Sequence, residues 1–372
     1  MKFLLSSTPL ANKLAEMSKV MSTKAARPIL ANFLFDLNEE TLHITASDGE
    51  CFQSTTMPVA TAEGNGKICL PADRLINALR NLPEQPIGFT INETTLCTTI
   101  KYANGQFELM GEPVNEYPTP APLENLKKIE IGADILNNAI SQTLFAVGTD
   151  ELRPVMNGVY FTTQQQSLQS VASDGRKLVR NTFKLDYPLE EISFLLPAKA
   201  AKIVKNLTNK GKSSVNISHN QREATFSFEN DVFRCRLLEG CYPNYNSIIP
   251  QSSTSTATIE RDSLLSAIKR VGLFSSIANG CIVMDFSGIN LNVSGKDIDY
   301  SSSAEETLFC TYSGNNIKIG FNGEQLQQVL ENIKCKEVIF HMGDQTRAAI
   351  IKPAIEDENI DNLLLLMPSM IA

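Results

Sequence analysis

Several blocks of this chain recur 126 residues downstream without a gap. Arg27-Pro28 returns as Arg153-Pro154 and Phe35 as Phe161. Ala46-Ser47-Asp48-Gly49 returns as Ala172-Ser173-Asp174-Gly175, and Leu70-Pro71-Ala72 as Leu196-Pro197-Ala198. Scattered identities arise by chance, but clustered blocks that share one offset rarely do. Tyr117-Pro118 and Tyr242-Pro243 match at an offset of 125. A fainter third copy shows in Leu75, Leu79 and Asn81 against Leu326, Leu330 and Asn332, 251 residues on, and it lacks the Ala-Ser-Asp-Gly block. A period this long means repeated domains, not a solenoid, and three copies use all 372 residues. The expected domains are therefore 1–126, 127–253 and 254–372. Linker-like stretches fit this division: Thr119-Pro120-Ala121-Pro122 before the second copy, and the Ser/Thr-rich run from Pro250 to Thr256 before the third.

Each copy shows the same order of elements. A short strand (Lys2–Leu5, Lys128–Ile131, Ala257–Ile259) precedes a helix. Leu10, Leu14, Met17 and Met21 keep the 3.6-residue period, as do Leu136, Ile140 and Leu144, and then Leu264, Ile268 and Val271. Strand-like segments follow, such as Ile29–Leu37 and Leu42–Ala46, the latter ending in the turn-forming Asp48-Gly49. A second helix is expected after Pro71, Pro197 and Phe321, with further strands closing each copy. Two helices on one face of antiparallel strands, three times over, is an α+β architecture.

Composition removes several classes of function. An apolar fraction of 42% and a charged fraction of 20% belong to a globular protein with a sizeable core. No apolar run approaches the roughly 18–20 residues that span a bilayer, so no membrane association is expected. Eight cysteines (51, 69, 97, 235, 241, 281, 310, 335) include no CxxC pair, and His43, His219 and His341 lie far apart. They are read as reduced thiols of a cytoplasmic protein, with no metal site and no cofactor. No phosphate-binding loop, dinucleotide fingerprint or nucleophile elbow occurs. The net charge of −8 is uneven: the first third carries 9 basic against 14 acidic residues, the central third 15 against 12, the last 9 against 15. A protein gripping nucleic acid mainly through phosphate neutralisation should be basic overall, and this one is not. Any contact with DNA here must be local, weak, or maintained by something other than charge.

Three features remain. The duplicated Asp-Gly block is read as a strand end closed by a Gly-permissive turn rather than a catalytic aspartate, because a scaffold turn is copied with its domain. Lys199, Lys202 and Lys205 fall on one broad stripe of a helix, and Lys13, Lys19, Arg74, Arg80, Lys269 and Arg270 lie on the corresponding helices. Acidic neighbours dilute this pattern, so it points only weakly to DNA. The tail, Leu363-Leu364-Leu365-Leu366-Met367 closed by Pro368, reads either as a buried edge strand or as the lining of a groove for peptides.

Further residues carry a resemblance. The start Met1-Lys2-Phe3, the runs RPIL at 27–30, PVMNG at 154–158, ASDGRKL at 172–178 and YPNY at 242–245, then YSG and IGFN within 312–322, and Met367-Pro368 occur in order on the threefold repeat. In this the chain resembles, along its whole length, the beta subunits of bacterial DNA polymerase III, the sliding clamps. The resemblance implies a head-to-tail homodimeric ring of six domains, with twelve helices lining a central hole that encircles double-stranded DNA. Such a ring would tether the replicative polymerase catalytic subunit and would also meet the clamp loader and repair proteins. It implies a partner-peptide pocket at Met156, Ser173, Gly175, Arg176, Lys177, Leu178, Pro243, Ile248, Thr346, Leu365, Leu366, Met367 and Pro368. Arg176 stands where the family often has His, and Met370 near a position that is often basic. The resemblance further implies a subunit interface of Phe107 and Leu109 against Leu273 and Phe274, and DNA contacts at Lys24 and Arg153.

The expectation is a non-enzymatic processivity clamp. One rival is a nucleic-acid-processing enzyme, which would need an acidic metal cluster or a nucleophile that the sequence does not display. The other is a repeat-domain adaptor that never encircles DNA.

Overall fold

The computed structural model describes residues 1–22, 27–122, 124–209, 211, 213–276 and 279–371. The first repeat runs β1 (Lys2–Ser6), α1 (Ser7–Met17), β2 (Asn32–Asn38), β3 (Thr41–Ser47), β4 (Cys51–Pro58), β5 (Thr61–Glu63), β6 (Gly66–Pro71), α2 (Ala72–Arg80), β7 (Pro86–Ile91), β8 (Cys97–Tyr102) and β9 (Gly105–Met110). The second runs β10 (Lys127–Gly132), α3 (Ala133–Ser141), β11 (Gly158–Gln164), β12 (Ser167–Ser173), β13 (Lys177–Lys184), β14 (Ser193–Pro197), α4 (Ala198–Thr208), β15 (Ser214–His219), β16 (Glu223–Ser227) and β17 (Asp231–Arg236). The third runs β18 (Ser255–Glu260), α5 (Arg261–Gly272), β19 (Cys281–Ser287), β20 (Asn290–Asp297), β21 (Ser302–Phe309), β22 (Thr311–Ser313), β23 (Ile317–Asn322), α6 (Gly323–Asn332), β24 (Glu337–Met342), β25 (Ala349–Pro353) and β26 (Ile360–Leu366). The expected strand–helix order thus recurs three times. Two details differ. Leu144 lies beyond α3 in a short 3-10 turn, and α6 starts after Asn322, whose side chain accepts the Gln325 amide at 3.0 Å.

The strands do not close each copy on itself, which corrects the expectation from sequence. Among the described residues every named ladder is antiparallel, and the ladders form four sheets. An eight-stranded sheet, β10-β15-β16-β17-β4-β3-β2-β6, joins the first repeat to the second through the β4–β17 ladder. A nine-stranded sheet, β14-β11-β12-β13-β26-β25-β24-β18-β22, joins the second to the third through β13–β26. Two smaller sheets, β5-β1-β7-β8-β9 and β21-β20-β19-β23, belong to the first and third repeats alone.

Because of these ladders the chain divides into two compact units that cut through the second repeat. One holds Met1–Asp134 with Asn206–Leu237, the other Ile135–Lys205 with Leu238–Ala372. In the first, α1 and α2 bury Leu10, Leu14, Met17, Leu75 and Leu79 in one core with Phe33, Phe35 and Phe89. Their 3.6-residue spacing supplies the helical stripe and alternation along the strands supplies the facing surface. In the second, Leu264, Ile268, Leu326 and Leu330 of α5 and α6 pack with Phe286, Phe321 and Phe340. Among the described residues no helix is long and apolar enough to cross a membrane.

Candidate functional site

The terminal strand is not an edge. β26 lies between β13 and β25, with Leu178 opposite Leu365 and Lys177 opposite Leu366. Successive strand residues point to opposite faces, so the run of four leucines serves both. Leu364 and Leu366 enter the core beneath the helices. Leu363 and Leu365 turn the other way and gather with Val171, Leu178 and Ala348. Over this second face opens a cavity of about 620 Å³. Leu178 and Leu365, each 1% exposed, form its apolar floor.

The duplicated turn builds one wall. The Asp174 carboxylate accepts the amides of Arg176 and Lys177, each at 2.8 Å, and the Lys177 ammonium at 2.6 Å. Ser173 donates its hydroxyl to the Lys177 carbonyl at 2.8 Å. Gly175 has φ +89°, and a Cβ there would lie 2.8 Å from Arg153 Nη1. The guanidinium of Arg153 is therefore laid against this turn, with Nε on Asp150 at 2.9 Å and Nη2 near the Asp174 carbonyl. That arginine holds the Asp150 carboxyl below the usual range, together with the Leu152 amide that leads the effect. A third element, the Tyr160–Tyr242 stack with ring centres 5.0 Å apart, borders the floor. Tyr245 donates its hydroxyl to the Gln169 side chain beside it. Burial raises the phenols of Tyr242 and Tyr245, so both act as neutral, rigid surfaces.

Nine of the thirteen expected pocket residues line this cavity: Ser173, Gly175, Arg176, Lys177, Leu178, Ile248, Thr346, Leu365 and Met367. Four do not. Leu366 faces the helix core for the parity reason just given, and Met156, Pro243 and Pro368 are outside the lining. Sequence reasoning missed Ser247, Ile249 through Ser252, Arg347 and Ala348. The run from Pro250 to Thr256 reads as a linker and gives no signal of a wall. Arg347 adjoins the expected Thr346 and is matched by Asp344 at 3.2 Å, and the exposed Arg176 lies on the same rim. The tail beyond the floor is fixed: the Met367 amide donates to the Arg176 carbonyl at 2.8 Å, and the Ser369 amide to the Gly320 carbonyl at 2.8 Å. Among the described residues no three His, Cys, Asp or Glu side chains are grouped to hold a metal.

Three family models of the DNA polymerase III beta subunit match the chain in succession. The N-terminal domain model matches residues 1–121, the central 130–244 and the C-terminal 246–368. The chain belongs to the DNA polymerase III beta-subunit family. Among the family's members, the beta sliding clamp of Bacillus subtilis is 26% identical over 376 residues, covering 98% of this chain and 99% of that protein. That of Haemophilus influenzae is 23% identical, covering 99% and 100%. The crystal structure of a DnaN sliding clamp from Pseudomonas aeruginosa, bound to griselimycin, superposes with a TM-score of 0.94 at 24% identity, each chain covered completely. Three clamp domains of mixed α+β type are thereby established, and the chain's function is that of a DNA sliding clamp.

The remaining expected residues of this clamp fall on separate elements. Phe107, on β9, is half-buried and packs against Tyr102 with ring centres 4.8 Å apart and the planes tilted by 31°. Leu109 points into its own unit's core at 9% exposure, so it is not an exposed anchor. Leu273 and Phe274 follow the end of α5 and are 83% and 43% exposed. Lys24 lies outside the described residues. Arg153 stands beside the cavity wall, matched by Asp150 at 2.9 Å. Several helix cations noted in the sequence are also matched: Lys13 by Asp231 at 2.8 Å, Lys269 by Glu331 at 2.8 Å and Arg270 by Glu306 at 2.6 Å.

Proposed function

We propose that two copies of this clamp close head to tail into a ring of six domains around duplex DNA, and that the cavity of the second unit takes peptides from its clients. One observation carries the ring. In each of the first two repeats the third strand of the helix-facing sheet, β4 or β13, pairs with the last strand of the next repeat, β17 or β26. In the third repeat the corresponding strand, β21, ends its sheet, and so does β9, the last strand of the first repeat. Two seams are made within the chain and the halves of a third are left over. Pairing β21 with β9 of a second copy completes it, and two such seams close the ring.

Carrying the register of the first seam over by the repeat offsets sets Ala304 opposite Phe107 of the partner copy. Phe107 then meets the exposed Leu273 and Phe274, and the buried Leu109 serves by fixing β9. The opposite edge of the third-repeat sheet, β23, is already bridged by Ser369, which directs pairing to β21. Unpaired edges of this length are otherwise an aggregation hazard.

The ring explains the charge. A closed ring holds duplex by topology, so matched helix cations and an acidic chain are compatible with sliding. Lys24 and Arg153 are proposed to touch phosphates, Arg153 by exchanging Asp150. The domain limits 1–126, 127–253 and 254–372, a non-catalytic role and a cytoplasmic location beside the chromosome complete the reading. The clients are the replicative polymerase catalytic subunit, the clamp loader and repair proteins. An apolar floor under a rim that carries the exposed Arg176 suits a short peptide with apolar anchors and a carboxylate. The deciding experiment loads the protein on nicked circular DNA and then linearises it. Retention on the circle with loss on linearisation is expected; equal retention on both forms refutes encirclement.

A further inference from the structure

The β4–β17 ladder ends on two thiols. Cys51 and Cys235 stand directly opposite each other, and they are buried at 6% and 0% exposure. The Arg236 amide donates to the Glu50 carbonyl at 3.1 Å and the Thr56 amide to the Asn230 carbonyl at 3.0 Å. These bonds fix the phase of the ladder and make Cys51 and Cys235 a non-hydrogen-bonded pair. Such pairs bring their Cα atoms to about 4.5 Å, with both side chains on one face. Disulfides close at Cα separations of roughly 4.4–6.8 Å. Elsewhere the opposed residues differ: Cys69 faces Leu34, Cys97 faces Met110 and Cys281 faces Asn322.

We propose that Cys51 and Cys235 form an oxidisable dithiol that closes into a cross-strand disulfide and ties the first repeat covalently to the second. The co-reactant is a small disulfide such as oxidised glutathione. The Cys51 sulfur attacks one of its sulfurs, giving a mixed disulfide, and one glutathione leaves. The Cys235 sulfur then attacks the Cys51 sulfur and expels the second glutathione. Two protein thiols are oxidised, one glutathione disulfide is reduced, and the two cysteine protons end on the two departing thiols. Cys51 reacts first because it keeps some exposure and begins β4, beside the Asp48-Gly49 turn, where ladder ends open most readily. Burial, and then the adjacent Cys51, hold the Cys235 thiol well above its ordinary range. It therefore acts only as the resolving partner.

The folded full-length protein, equilibrated in glutathione buffers from reducing to oxidising and trapped by alkylation, tests this by peptide mapping. A linked Cys51–Cys235 peptide, lighter by two hydrogens, is expected at the oxidising end, at a rate independent of protein concentration. Exposed Cys241 should carry only glutathione adducts. The oxidised chain should run faster on a non-reducing gel, and Cys51→Ser and Cys235→Ser should each abolish that shift. If a variant fails to fold, the wild-type map decides alone. Both thiols persisting in the most oxidising buffer while Cys241 is modified overturns the proposal, as does a product that stops as a glutathione adduct at Cys51.

Discussion

Gly49 and Gly175 hold the same place in two repeats, with φ of +97° and +89°. A side chain in that region costs roughly 1–2 kcal/mol, so alanine at either should lower stability by about that amount. The surroundings then separate them. At Gly49 the nearest atom to a new Cβ is Leu30 Cδ1 at 3.7 Å, whereas at Gly175 it is Arg153 Nη1 at 2.8 Å. Gly175→Ala should therefore also weaken client-peptide binding, by displacing the arginine that braces the wall, while Gly49→Ala leaves binding unchanged. Thermal denaturation with fluorescence anisotropy on both variants checks this. Leu178→Ala removes floor and core together; it should cost about 2–5 kcal/mol of stability and most of the peptide affinity. The turn was legible in sequence because its bonds are local: Asp174 satisfies amides two and three residues ahead. The division of labour between Leu365 and Leu366 was not, since it depends on which face of β26 meets the helices.

Elements tell the same story at longer range. Helix stripes and strand alternation depend on neighbours in the chain, so the six α-helices among the described residues were readable. The seams were not, because a ladder between β13 and β26 joins residues about half the chain apart and leaves no periodic trace in either strand. Phe107 could be carried over from the family, but only burial shows that Leu109 faces inward. Leu273→Ala with Phe274→Ala should weaken the dimer by several kcal/mol, as truncated anchors do, and sedimentation at falling concentration measures it. The fold beside β21 should be acid-sensitive. Arg270 donates two bonds to Glu306, at 2.6 and 2.7 Å, and holds that carboxyl below the usual range. A carboxylate lowered in this way contributes fully above its unpaired pKa, about 4.3. The contribution is lost as pH falls through the lowered value. Stability of the fold should thus be flat near neutrality and decline below about pH 4 in thermal denaturation, and Glu306→Gln should remove its part of that decline. Deleting Met367 to Ala372 should abolish peptide binding and leave the dimer. Because Ser369 bridges β23, the truncated protein should also show new concentration-dependent self-association.

For the whole molecule, topology and charge are separable by salt. Affinity for linear duplex should be weak and fall steeply with ionic strength, while retention on closed circles should barely change. Replacing Lys24 and Arg153 by alanine should lower linear binding equally for all sequences, since phosphates carry no base information; titrations on two unrelated duplexes would reveal any preference. The discontinuous first unit has a consequence for biosynthesis. Its sheet needs β17, so a nascent chain that has emerged only to the end of the first repeat displays β4 as a bare edge. About a hundred more residues must leave the ribosome before that edge is covered. During this interval neighbouring nascent chains on one message can pair β4 strands with each other. Translation speed through the second repeat should therefore govern the yield of assembled protein more than its final stability does.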